Sequence, residues 1–197
     1  NTIDLSHHKD GRAYMAVYKY RENDNTPYIF RTENYGQDWE LLTNGQNGIP
    51  DDHFARAVRE DPHNENILYA GTEFGMYISF DRGDHWQSFQ QNLPKTPITD
   101  LQVHRDDLIV ATQGRSFWIM DDISVLQELE NEQIANAPYL FTPVNGLRTQ
   151  LGESGGHGVP ESPSPGAKIY YNLNEEPDSL SIKILDENKQ TVKTFKQ

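Results

Sequence analysis

Apolar residues in the first 122 positions come in short runs rich in β-branched and aromatic side chains. Gly, Asn and Asp clusters bound each run. Such runs read as antiparallel strands. Ala13-Tyr14-Met15-Ala16-Val17-Tyr18 precedes a polar insertion, Lys19-Tyr20-Arg21-Glu22-Asn23-Asp24-Asn25-Thr26, and then Tyr28-Ile29-Phe30-Arg31-Thr32. Further along, residues 54–59, 67–72, 76–79 and 86–90 form a set of four, and residues 99–104, 108–112 and 117–120 a set of three. The first set lacks a clear inner strand, so the chain reads as starting inside it. A spacing of about 40 to 50 residues between four-strand units is that of propeller blades.

An eight-residue pattern repeats 47 residues apart: Thr32-Glu33-Asn34-Tyr35-Gly36-Gln37-Asp38-Trp39, then Ser79-Phe80-Asp81-Arg82-Gly83-Asp84-His85-Trp86. Both copies read Ser/Thr-x-Asp/Asn-x-Gly-x-x-Trp. An Asp or Asn here accepts backbone N–H groups across a turn. The Gly supplies positive φ, and the Trp is suited to packing between blades. Thr32, Asn34, Gly36, Trp39, Ser79, Asp81, Gly83 and Trp86 are therefore expected to be structural. The competing reading, Asp81 as a catalytic carboxylate, suffers because its turn faces away from the loops that usually bind ligands.

Past residue 122 the period changes. Asp121-Asp122-Ile123-Ser124-Val125-Leu126 predicts a short helix as the exit from the propeller. The expected organisation is propeller over 1–122, helix and exit segment over 123–150, a Gly/Pro/Ser linker over 151–166, and the first strands of an immunoglobulin-like sandwich over 167–197. The fold class is thus all-β: a partial β-propeller of about two and a half four-stranded blades followed by part of a β-sandwich. Two and a half blades leave faces uncovered. The remaining blades are expected on an upstream segment or a partner chain, and the initial Asn fits a fragment or a processed chain.

The pattern of both boxes, Asp61-Pro62 before Leu68-Tyr69-Ala70-Gly71-Thr72, and Gly114-Arg115-Ser116-Phe117-Trp118-Ile119-Met120-Asp121-Asp122 resemble the C-terminal part of large bacterial BNR (Asp-box) repeat proteins. That family is similar to sortilin and often labelled "glycosyl hydrolase"; it resembles the two-propeller xyloglucanases more distantly. The resemblance implies one or two propellers, then an immunoglobulin-like module, in a secreted, periplasmic or cell-surface bacterial protein.

Composition narrows the function. A formal net charge of −13 with no basic patch argues against nucleic acid. No run of 18 apolar residues exists to span a membrane. Zero cysteines remove disulfides, thiol chemistry and Cys-based metal sites. The histidines lack ligand spacing, so neither metal nor cofactor is expected.

Strand direction gathers the turns between second and third strands, and the loops entering inner strands, on one face. Long loops on a rigid scaffold commonly bind. Tyr20, Arg21, Asp52, His53, Arg56, Glu73, Phe74 and Arg115 are the candidate binding residues there, against the plainer reading of solvated loop residues. Arg115 has its own bland alternative, a pair with a neighbouring acid or carbonyl. The leading function is recognition of an extracellular protein, peptide or glycan through this face. The alternative is a glycoside hydrolase of xyloglucanase or sialidase type, acting on polysaccharide. Hydrolysis needs two carboxylates about 5 to 10 Å apart; Asp51, Asp52 or Glu73 would supply one and the missing blades the other.

Overall fold

The computed structural model describes residues 1–129, 138–146 and 166–196. Strands β1 (Thr2–Leu5), β2 (Ala13–Lys19), β3 (Asp24–Thr32) and β4 (Glu40–Leu41) form a four-stranded antiparallel sheet in chain order. Strands β5 (Ala55–Glu60), β6 (Leu68–Thr72), β7 (Gly75–Ser79) and β8 (Gln87–Ser88) repeat the arrangement. Strands β9 (Ile98–His104), β10 (Asp107–Thr112) and β11 (Phe117–Met120) make a third sheet, three-stranded among the described residues. Each sheet stacks face to face on the next, with β5 against β1 and β2, and β9 against β5 and β6. Sequential sheets stacked through their inner strands make this an all-β, partial β-propeller.

Two expectations are corrected. The chain does not start inside the first blade, because β1 is that blade's inner strand and pairs with β2 from Thr2↔Ala16 to Leu5↔Ala13. The four residues of β1 hold only two apolar positions, too few to register as a run. The insertion at 19–26 is also shorter than expected, since β3 begins at Asp24 and only a 3-10 turn, Tyr20–Glu22, projects. The Asp24 carboxylate organises this hairpin. It accepts the Thr26 N–H at 3.1 Å and the Tyr28 hydroxyl at 2.9 Å. Those bonds, with Lys19 alongside, hold its pKa down at about 2.

Two buried layers join the sheets. Between the first and second lie Tyr14, Ala16, Ile29, Leu42 and Ile49 on one side, and Val58, Leu68, Ala70, Tyr77 and Trp86 on the other. Between the second and third lie Tyr69, Met76, Ile78 and Phe89 against Leu101, Leu108, Val110 and Ile123. Approach is close enough that a Cβ on Gly71 would stand 2.6 Å from Ile98 Cγ2.

The two boxes share one hydrogen-bond scheme. The Thr32 hydroxyl accepts the Gly36 N–H at 2.9 Å, and Asn34 Oδ1 accepts the Asp38 N–H at 3.0 Å. In the second copy the Ser79 hydroxyl accepts the Gly83 N–H and Asp81 Oδ1 the His85 N–H, both at 2.8 Å. Tyr35 and Arg82 take φ near 60°, followed by Gly36 at 82° and Gly83 at 96°. The tryptophans differ. Trp86 is 5% exposed within the first layer, whereas Trp39 is 38% exposed on the outer face of the first sheet, together with Ile3 and Leu5. No sheet of the described chain covers that face, so Trp39 meets no second blade here.

Beyond the propeller, α1 (Ser124–Glu128) docks on the second blade. Gln127 Nε2 donates to both carboxylate oxygens of buried Asp61 at 3.0 and 3.1 Å, and the Tyr69 hydroxyl donates to the same group at 3.0 Å. Strand β12 (Tyr139–Leu140) pairs with β13 (Tyr171–Asn172), and β14 (Ser181–Leu185) forms a hairpin with β15 (Thr191–Lys196). The predicted linker lies, but for Gly166, outside the described residues.

Trp86→Ala is expected to lower unfolding free energy by about 3–5 kcal/mol, the range for emptying a buried aromatic site. Trp39→Ala should change it by less than about 1 kcal/mol. Urea denaturation of both variants checks this.

The second box carries a pH signature. Burial raises the Asp81 pKa, but the His85 N–H and ring and the Ser79 hydroxyl outweigh it, leaving the group below its ordinary value of 3.8. A depressed carboxylate stabilises the fold above its unfolded pKa and loses that contribution as pH falls through the folded one. Asp81→Asn, which copies the first box, should therefore lose less stability than wild type between about pH 5 and pH 3. Asp81→Ala should cost about 1–2 kcal/mol at neutral pH, the range for losing a side-chain cap. Equilibrium melts across pH measure both.

Candidate functional site

The loop entering each inner strand is tied to the turn between the second and third strands of its blade. The Glu73 N–H donates to the Phe54 carbonyl at 3.1 Å, and the Gln113 N–H to the Pro97 carbonyl at 2.9 Å. This repeated bond brings the two kinds of loop to one end of the sheets. Stacking of the first two sheets then brings Tyr20 from one blade onto Phe54 and Arg56 from the next.

The Tyr20 ring stacks on Phe54 with centroids 5.0 Å apart and planes at 18°, and Tyr18 lies 5.5 Å from Tyr20. The Arg56 guanidinium sits 5.1 Å from the Phe54 centroid and 6.0 Å from that of Tyr20. It is fixed there by Glu73, whose Oε2 accepts from Arg56 Nε at 2.7 Å and pairs with its terminal nitrogen at 2.6 Å. A partly desolvated Arg–carboxylate pair is short and directional, so the guanidinium is oriented rather than free to roam.

A second group adjoins through Glu73's neighbour. The Phe74 ring lies 4.7 Å from His53, whose Nδ1 is 2.7 Å from the Tyr77 hydroxyl. Burial, aided by the Asp52 charge, pushes the Tyr77 pKa up. The protonated hydroxyl can donate to His53 Nδ1, which leaves the proton of a neutral ring on Nε2, 3.8 Å from Asp52. Tyr20 at 37% and Phe74 at 47% exposure reach solvent, with the Arg21 guanidinium 5.9 Å from the Tyr20 centroid, while Phe54 is buried as the floor.

Of the sequence candidates, Tyr20, His53, Arg56, Glu73 and Phe74 thus share one surface, with Asp52 at its rim. Arg21 lies on the edge, its Nε 3.4 Å from the Tyr20 hydroxyl oxygen. Arg115 lies on the corresponding turn of the third blade, where its side chain is exposed and makes no ion pair or ring contact among the described residues. Tyr18, Phe54 and Tyr77 belong to the surface but were not foreseen. Their positions within or at the edge of strands marked them as core, and the only signal of their role is an aromatic next to a loop end.

The surface can stack on a flat apolar face through Tyr20 and Phe74. It can donate hydrogen bonds from Arg56 and accept them at Glu73 and Asp52. Of the carboxylates considered for hydrolysis, Glu73 is taken by Arg56, and Asp51 and Asp52 are exposed to solvent. Among the described residues, no three His, Cys, Asp or Glu side chains group as metal ligands.

No protein-family model matches the chain, and none of the curated proteins does. Solved structures similar to it include a GH74 enzyme from Niastella koreensis, at 14% identity over 61% of this chain, with a TM-score of 0.49. The GH74 xyloglucanase from Xanthomonas campestris matches at 18% identity over 61% of the chain, with a TM-score of 0.43. A structure of YCF48 bound to D1 peptide matches at 15% identity over 61%, with a TM-score of 0.44. The chain spans 21%, 22% and 36% of those three chains, respectively.

Proposed function

We propose that this chain is part of a bacterial Asp-box propeller of the sortilin-like kind that binds a ligand, without turning it over, on the loop face of its first two blades. The supporting observation is the Tyr20–Phe54–Arg56–Glu73 stack. It joins a partly exposed aromatic ring to an oriented cation–anion pair, across two stacked blades. Such a surface suits an extended glycan or a peptide segment, in which flat apolar faces alternate with hydrogen-bonding groups.

The remaining blades come from an upstream segment or a partner chain and cover Ile3, Leu5 and Trp39. Residues 167–197 open an immunoglobulin-like module, and the protein works outside the cytoplasm. None of the described helices is long and apolar enough to cross a membrane. The glycoside-hydrolase alternative requires a second carboxylate from outside this chain, and the engagement of Glu73 by Arg56 speaks against that residue as its partner.

Affinity electrophoresis in soluble plant and bacterial polysaccharides, paired with a peptide array, tests the proposal. Wild-type protein should be retarded by a glycan or bind a peptide set. Tyr20→Ala and Phe74→Ala should each weaken binding about tenfold or more, as expected for exposed aromatic anchors, with unchanged melts. Variants that bind as wild type does would refute the assignment, and release of reducing sugar abolished by Glu73→Gln would establish the hydrolase instead.

A further inference from the structure

The loop that carries the chain from β4 to β5 contains two Asn-Gly steps, Asn44–Gly45 and Asn47–Gly48. At such a step the following backbone nitrogen attacks the side-chain carboxamide most readily, because glycine has no Cβ to obstruct the approach. The folded loop treats its two steps in opposite ways. The Asn47 carboxamide is a clamp between blades. Its Nδ2 donates to the Leu42 carbonyl at 2.8 Å, and to those of Gly83 and Asp84 in the second box at 3.4 and 3.1 Å. Its main-chain carbonyl accepts the Trp86 N–H at 2.7 Å. A half-buried amide held by three carbonyls can neither turn toward Gly48 nor depart.

Asn44 is exposed, and its surroundings activate it. Its Oδ1 accepts the N–H groups of Gln46 and Asn47, each at 2.9 Å. Attack by the Gly45 nitrogen on Cγ drives negative charge onto that oxygen, and fixed N–H donors stabilise charge developing there. The attacking nitrogen is unencumbered, since the Gly45 N–H has no hydrogen-bond partner among the described residues. The Asp51 carboxylate stands against the same residue: a Cβ on Gly45 would lie 1.5 Å from Asp51 Oδ1. That oxygen takes the place of the missing side chain. By backbone covalent geometry it is within about 4 Å of the Gly45 nitrogen, close enough to remove its proton directly or through one water.

We propose that Asn44–Gly45 is a self-modifying site, at which the folded chain converts Asn44 to isoaspartate and aspartate through a succinimide. Asp51 takes the proton of the Gly45 N–H, and the nitrogen lone pair forms a bond to Asn44 Cγ. The Cγ–Nδ2 bond then breaks, and Nδ2 leaves as ammonia, taking up the proton that Asp51 removed. Water adds to one of the two succinimide carbonyls and opens the ring. Opening at the former side-chain carbonyl gives aspartate. Opening at the main-chain carbonyl gives isoaspartate, whose backbone runs through the β-carbon. Either product adds one negative charge to a chain of net charge −13. The isoaspartyl form also lengthens the main chain by one carbon just ahead of the Asn47 clamp. The chemistry uses none of the residues assigned to ligand binding, so it stands or falls independently of the function proposed above.

Peptide mapping with electron-transfer fragmentation, which separates isoaspartate from aspartate, would follow the native chain and a guanidinium-unfolded sample at the same neutral pH. A third step, Asn145–Gly146, serves as internal reference. In the native chain Asn44 should convert fastest and Asn47 slowest. Unfolding should slow Asn44 about tenfold or more, as for the loss of a positioned base, and bring the three steps to similar rates. Asp51→Asn should slow Asn44 in the native chain by a similar factor, with the melting temperature and the Asn145 rate unchanged. Should that variant melt differently, the comparison of folded and unfolded wild type still decides. Conversion of Asn44 no faster in the folded chain than in the unfolded one, or faster conversion at Asn47, would overturn the proposal. An unchanged Asn44 rate in well-folded Asp51→Asn would overturn the mechanism by removing its base.

Discussion

The structure depends on one constraint: each small sheet is apolar on both faces and is stable only when stacked. The first two sheets meet through Tyr14, Ala16 and Ile29 on one side and Val58, Leu68 and Ala70 on the other, with Trp86 wedged into the outer part of the same layer. Burial of such side chains stabilises by about 25 cal/mol per Å² of apolar surface. An isolated two-stranded hairpin is at best marginally stable in water. Stacking also fixes the relative position of loops from different blades. The Tyr20 ring meets Phe54 and Arg56 only because the sheets beneath them are locked.

The boxes serve that constraint. A hydroxyl and an Asp or Asn oxygen satisfy the N–H groups of a tight turn, Gly takes the positive φ, and the turn delivers a tryptophan to the layer. The same local geometry has two outcomes. Trp86 is buried because a preceding sheet exists to receive it, and Trp39 is exposed because none does among the described residues. What the turn encodes is local; whether its tryptophan stabilises anything is decided by the neighbouring blade.

Much of this was legible in the chain. The runs around Ile67–Thr72 and Leu108–Thr112 were strong enough to read as strands, and the Ser/Thr-x-Asp/Asn-x-Gly spacing dictated the turn chemistry found. The weak element was β1, whose Thr-Ile-Asp-Leu pattern gains meaning only when paired with Ala13 to Ala16. The hairpin at 19–26 is shorter than its polar run suggests because Asp24 organises it through side-chain bonds that composition does not reveal. At the site, loop positions were foreseeable from strand order, which brought Tyr20, His53, Arg56, Glu73 and Phe74 together. The pairing of Arg56 with Glu73, and the buried floor of Phe54, depend on tertiary distance and left no trace in spacing. Arg115 shows the converse: a loop residue at the equivalent end of the next blade, with no contact to the cluster.

The claim that inter-sheet packing underlies both fold and site is tested most directly by a double-mutant cycle across the first layer. Unfolding free energies would be measured in urea for Ile29→Ala, Trp86→Ala and the double variant. Packing of the two side chains in one layer predicts a coupling of about 1–3 kcal/mol, with the double variant losing less than the sum of the single losses. Strict additivity would mean that the two sheets do not share this core, and the account of the blade stack would be wrong.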